Sequence, residues 1–202
     1  MFVTFGFATV ALVLGDLFFY DPEPGPGQDG PERGVRIELR RLETTPPASL
    51  YASREIVIRD PLWRIDLLES ADGPVGTFDR THHHPTVDGW EVGDRVFDTE
   101  LSADPVAWVA DALRDLDRHV PGQIGPQERA EVARMIPAIR RQLEEMLAAV
   151  GAGDLAPAPP GPLSPPLRVG WLLRSDQVLR CLSAQEPGDL PDGDGPGGRG
   201  RR

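Results

Sequence analysis

Residues 35–42 alternate strictly: Val35, Ile37 and Leu39 point one way, and Arg36, Glu38 and Arg40 the other. A period of two is the signature of a strand with one buried face, because successive side chains leave a pleated backbone on opposite sides. Nothing helical accommodates it, so the chain must contain a sheet. Residues 55–59 form a second short run rich in β-branched side chains. After a turn at Asp60–Pro61, residues 62–69 repeat the alternation, with Trp63, Ile65 and Leu67 inward and Arg64, Asp66 and Leu68 outward. Residues 71–76 carry an Asp-Gly hairpin signal, and residues 77–84 are expected to pair back as a fourth strand. Turn-length gaps between successive strands favour an antiparallel meander.

The pattern changes after residue 100. Asp104–Pro105 is a helix start: Asp caps, and Pro lacks the amide that the first turn would leave unpaired. An apolar stripe of Val106, Val109, Ala110, Leu113 and Leu116 takes this helix to about His119. A second helix is expected from Gly125–Pro126 to about Val150, kinked at Pro137 and ended by Gly151. The fold class that follows is α+β: a small antiparallel sheet of about four strands covered by two helices.

The ends read differently. Residues 1–20 are almost entirely apolar and hold five of the seven Phe of the chain. Their length approaches a membrane span, although Asp16 interrupts it and the first basic residue is Arg33, too late for a signal peptide. The segment is expected to be a membrane anchor or a mis-assigned start, with a buried strand or helix as a third alternative. As an anchor it would place the Arg-rich residues 33–41 on the cytoplasmic side. Residues 21–34 read as a Pro/Gly linker, which puts the domain at 35–150. Residues 151–202 are expected to be mostly disordered, with a stiff Pro-rich stretch at 156–166 and one short apolar run at 168–184.

A net charge of −11 excludes non-specific nucleic-acid binding for the chain as a whole, since that requires phosphate neutralisation. A local basic strip survives: from Glu32 to Arg64 there are seven Arg against five acids. One cysteine, Cys181, rules out an internal disulfide framework and a cysteine zinc cage. The expected location is cytoplasmic, with membrane attachment through residues 1–20 as the alternative.

The candidate site is His82–His83–His84. On a strand, His82 and His84 share a face and His83 points away. Two imidazoles so placed chelate one divalent ion or act as acid and base near neutral pH. A metal needs a further ligand, for which Glu91, Asp79 and Asp66 are the candidates. Arg64 and Asp66 lie outward on the preceding strand, facing the polar edge that carries Arg80 and His82. That arrangement makes a cleft with an Arg for phosphate and a carboxylate to orient a His, or else an ordinary cross-strand ion pair. His119 closes a helix, where a cation is favoured.

Residues 62–69, LWRIDLLE, followed by residues 78–85, FDRTHHHP, resemble a family of uncharacterised actinobacterial proteins, over roughly residues 49–116. That family carries no assigned activity, so the resemblance implies a domain and no chemistry. The order of strand, hairpin, Asp and His-rich end is similar to small toxin-like proteins of toxin–antitoxin loci. This implies RNA cleavage with Arg64 or Arg80 on phosphate and His82 or His84 as acid and base. Gly76 followed by His82–x–His84 resembles the opening of the cupin metal motif, with Glu91 later than that motif places it. It implies a divalent metal on His82, His84 and Glu91. Three functions are thus expected in competition: a partner-binding domain with a polar His loop, a toxin-like ribonuclease, and a divalent-metal-binding domain.

Overall fold

The computed structural model describes residues 2–20, 24, 26, 28–45 and 49–153. Five antiparallel strands make one sheet in sequence order: β1 (Phe2–Gly6), β2 (Val10–Tyr20), β3 (Pro31–Thr45), β4 (Glu55–Ser70) and β5 (His82–His84). A two-stranded ribbon, β6 (Val87–Asp88) and β7 (Glu91–Val92), follows. Then come the helices α1 (Thr99–Ala103), α2 (Pro105–Arg114), α3 (Leu116–His119) and α4 (Pro126–Gly151).

One face of the sheet is the apolar core. Val10, Leu12 and Leu14 of β2, Val35, Ile37 and Leu39 of β3, and Trp63, Ile65 and Leu67 of β4 are buried together with the stripes of α2 and α4. The period of two on the strands and the period of 3.6 on the helices meet there, and burial of this apolar area drives the fold. Asp104 caps α2 as expected, its Oδ1 accepting from the Ala107 amide at 3.0 Å. The Glu128 carboxylate, in the first turn of α4, accepts from the Thr9 amide (2.6 Å), the Thr9 hydroxyl (2.7 Å) and the Val10 amide (3.1 Å). It thereby ties the β1–β2 turn to the helix layer.

The α+β class with an antiparallel meander holds, and the structure revises several of its details. Residues 2–20 are not an appendage: they supply β1 and β2, and β2 pairs with β3 along its whole length. The expected domain start at residue 35 is therefore corrected, because the apolar residues of 10–19 alternate between two buried faces of the sheet. Among the described residues no helix is long and apolar enough to cross a membrane. The last four residues of the supposed linker, Pro31–Gly34, belong to β3. A Cβ at Gly34 would lie 1.9 Å from the Leu67 carbonyl oxygen, so only glycine permits that approach between β3 and β4.

The two runs 55–59 and 62–69 are one strand, β4, because Pro61 sits where the pairing with β3 slips between Arg40 and Leu42. An irregularity of this kind accepts a residue that lacks an amide donor. The expected fourth strand shrinks to His82–His84. Before it, Phe78 adopts φ 48°, which ends any ladder. The Thr81 hydroxyl then both accepts from the Leu68 amide and donates to the Leu68 carbonyl, each at 3.0 Å, and that carbonyl also accepts from the Arg80 amide at 3.1 Å. The first expected helix breaks at Asp115 into α2 and α3, and α4 continues through the exposed Pro137. The expectations for residues 156–166, for 168–184 with Cys181, and for the remaining tail lie outside the described residues.

Candidate metal centre on the polar face of the sheet

The second face of the sheet carries charge under cover. Parity sends Arg36 and Glu38 of β3, Arg64 and Asp66 of β4, and His82 and His84 of β5 to this side, and all six are buried. Register then decides who meets whom. Asp66 stands opposite both Arg36 and His82, and Arg64 opposite Glu38 and His84. The β6–β7 segment folds back over this face. Val96 bridges to His83, and the Trp90 ring lies 4.9 Å from the Arg40 guanidinium carbon.

Asp66 is the hub. Arg36 grips it in a fork, Nε to Oδ1 at 2.6 Å and Nη2 to Oδ2 at 3.1 Å. The other side of Oδ2 faces both imidazoles: His82 Nε2 lies 3.4 Å away and His84 Nε2 3.5 Å. Burial works against the Asp66 carboxylate, but the Arg36 charge and the hydrogen bonds from its guanidinium hold the carboxyl well below its usual range. The residue stays ionised at neutral pH.

The tautomer of each ring follows from its other nitrogen. His82 Nδ1 lies 2.8 Å from the Arg80 carbonyl oxygen, and His84 Nδ1 lies 2.7 Å from that of Gly93. A carbonyl oxygen only accepts, so both Nδ1 atoms carry the proton and, in the neutral rings, both Nε2 atoms present lone pairs. His82 Nε2 is fully buried and close to Oδ2 without the alignment of a hydrogen bond. Two nitrogen lone pairs and a carboxylate oxygen thus converge, all within 4.8 Å of one another. The edges of a tetrahedral sphere with bonds of about 2.0–2.1 Å are about 3.3 Å, close to the two N–O separations. Backbone carbonyls on Nδ1 are also the outer partners that fix the rings of metal-bound histidines.

The other residues expected at the site are not all there. Arg64 turns its guanidinium to Glu38, Nε to Oε1 at 2.9 Å, and Glu38 also binds Arg40 at 2.9 Å. Arg80 points to Asp79 and to the Asp29 carbonyl and lends the centre only its own carbonyl oxygen. Glu91 is exposed on β7 and lies outside the group that could hold a metal; Asp66, also among the expected candidates, is the carboxylate that faces the two imidazoles. Asp79 accepts from the Ser70 amide and the Thr77 hydroxyl and holds a turn. Arg36 was not foreseen, because a charged residue on an outward strand position normally meets water. Counting back from the Thr45–Glu55 pair would have set Arg36 against Arg64; the register shifts between Leu39 and Leu42 move it opposite Asp66.

His83 projects to the helix side as the alternation requires. There it packs on Trp108 at 5.3 Å, while His119 stacks on Trp63 at 4.4 Å with 19° between planes. The expectation that the helix end favours a charged His119 is overturned: burial, then the adjacent Arg118 charge, outweigh Asp115 and push its pKa below 6.5. A His with a depressed folded-state pKa contributes fully above the unfolded value and loses that contribution as pH falls through it. Urea unfolding of the wild type is expected to show stability dropping as the pH is lowered through 6.5, with a shallower drop in His119→Phe.

No family model matches the chain, and no curated protein or solved structure matches it significantly. What the fold and site define is a class: an α+β domain with a five-stranded antiparallel meander, helices on one face, and a buried Asp–His–His group that could hold a metal ion on the other.

Proposed function

We propose that this protein is a divalent-metal-binding domain whose ligands are Asp66, His82 and His84. The observation that carries this reading is the pair of Nε2 lone pairs aimed at one carboxylate oxygen, with both Nδ1 protons already committed to carbonyls. Without a bound cation, three electron-rich atoms face one another in a buried space, which is unfavourable unless a cation or a proton lies between them. Two imidazoles and one carboxylate form a donor set suited to zinc or ferrous iron, and three protein ligands leave at least one position for water or another group. Arg36 orients the carboxylate from outside; its positive charge lowers the affinity for the cation, so the metal must rely on the geometry of the imidazoles.

The ribonuclease reading has less support. Its imidazoles would have to reach an RNA backbone, and His82 and His84 are 1% and 4% exposed. Partner binding has no observation of its own at the His cluster. The test is equilibrium dialysis of the purified protein against zinc and, anaerobically, ferrous iron. One equivalent of one of these metals should be retained by the wild type and lost in the His82→Ala, His84→Ala double variant. Equal retention by the two proteins would remove the proposal.

A further inference from the structure

The two ends of the sheet are finished differently. At one end β5 is three residues long, and its outer side is closed: the His83 amide donates to the Val96 carbonyl at 3.0 Å and the Val96 amide to the His83 carbonyl at 2.9 Å. At the other end, among the described residues, no strand lies beyond β1. We infer that this open edge is a dimer interface: β1 pairs antiparallel with β1 of a second copy, about a two-fold axis at Thr4.

The ladder decides which backbone groups are free. The Phe7 amide donates to the Val10 carbonyl at 2.9 Å and, one strand further in, the Leu42 amide to the Thr9 carbonyl at 2.8 Å. Hydrogen-bonded and non-bonded pairs alternate along an antiparallel ladder. Phe5 therefore bonds Leu12 and Val3 bonds Leu14, while Phe2, Thr4 and Gly6 turn their amides and carbonyls away from β2. No described residue bonds these outward groups. The strand FVTFG holds no charged residue and no Pro, and its register with β2 runs without a bulge, so the usual guards of a sheet edge are missing from it.

The edge is complementary to itself. Setting Thr4 against Thr4 of the other copy puts Phe2 opposite Gly6, and each of these is a hydrogen-bonded pair because all three residues present outward groups. The Phe2 ring, 40% exposed, then lies beside a glycine. A Cβ at Gly6 would meet only a Leu42 methyl carbon, at 4.0 Å, so the ring has room to cover it. On the opposite face Val3 comes against Phe5, and both already pack on the core, which the pairing extends across the axis. A cleft of about 450 Å³ lies between this edge and α4, whose wall carries Met135 with one acid and one base, Glu131 and Arg134. Their contact within one chain is long, 3.9 Å, and the axis turns α4 antiparallel to its copy, which sets each charge toward its opposite.

This inference does not rest on the metal, so sedimentation equilibrium of the full chain is done with EDTA present. At micromolar concentrations the wild type should show about twice its chain mass of 22.0 kDa. Thr4 is exposed, so Thr4→Lys should leave the far-UV spectrum unchanged, set like charges side by side at the axis and give a monomer. Thr4→Pro removes the central amide from both copies and should weaken the dimer about tenfold or more. The Cα atoms of a hydrogen-bonded pair are about 5.5 Å apart, within disulfide reach. Thr4→Cys in a Cys181→Ser background should therefore link two chains on oxidation, and Glu91→Cys, at an exposed position on β7, should not. A wild type that stays monomeric overturns the inference; if its Thr4 and Gly6 amides also resist hydrogen exchange, another segment such as residues 168–184 fills the edge instead. A dimer left intact by both Thr4→Lys and Thr4→Pro overturns it as well, because that dimer uses a different surface.

Discussion

Asp66→Ala is expected to destabilise the protein by about 3–5 kcal/mol, the loss seen when one partner of a buried ion pair is removed. Asp66 is 0% exposed and Arg36 5%, so the guanidinium left behind can neither reach bulk water nor lose its proton. The same substitution deprives His82 and His84 of the carboxylate that both face. Urea unfolding at neutral pH measures the change. Replacing both members, Arg36→Met with Asp66→Leu, should recover much of the loss, because an apolar pair carries no desolvation penalty. A cost below about 1 kcal/mol for Asp66→Ala would mean that water enters this face and that the ion pair behaves as a surface one.

Glu128→Ala is expected to cost about 1–3 kcal/mol, the scale of one orphaned buried donor. The carboxylate is the acceptor for the Thr9 and Val10 amides and the Thr9 hydroxyl. Thr9 is exposed and its donors can turn to water, whereas Val10 is 2% exposed and its amide has no such substitute. Glu128→Gln should recover part of the loss, since its amide oxygen still accepts from the two backbone amides. Hydrogen exchange gives a sharper readout than the global midpoint: the amides of β1 and of Thr9 and Val10 should lose protection first, ahead of those in β3 and β4. If exchange in β1 is the same in wild type and Glu128→Ala, the carboxylate is not what holds that hairpin on the helices.

The two faces of the sheet were unequally legible in the sequence. Alternation in β3 and β4 gave the apolar face correctly, and the same parity put His82 and His84 on one side and His83 on the other. The apolar stripes of α2 and α4 were equally plain. What alternation does not reveal is whether an outward face meets water or more protein. Arg36, Glu38, Arg64 and Asp66 have the pattern of a solvated face, yet they are buried, and the chain from Pro85 to Phe97 returns on this side, with Trp90 against Arg40 and Phe97 beside His82. A loop of that length carries no periodicity from which such a return can be read.

The apolar start failed for a related reason. Residues 10–20 are apolar on both sides of the strand, with Val10, Leu12 and Leu14 in the main core and Leu17 and Phe19 in a separate cluster with Leu68. A run buried on both faces has no alternation and looks like a membrane segment. The third position was left open among Glu91, Asp79 and Asp66 on different grounds. Glu91 is nearer to the histidines in sequence than Asp66 is, but pairing across β4 and β5 brings Asp66 to His82 and leaves Glu91 on an exposed ribbon.

X-ray absorption at the metal edge of the zinc-loaded protein probes the convergence of Asp66, His82 and His84 most directly. A first shell of nitrogen and oxygen at about 2.0–2.1 Å, with the outer-shell scattering of two imidazoles, is the expected spectrum. A shell of oxygen alone, without imidazole scattering, would show that the two Nε2 atoms do not hold the metal.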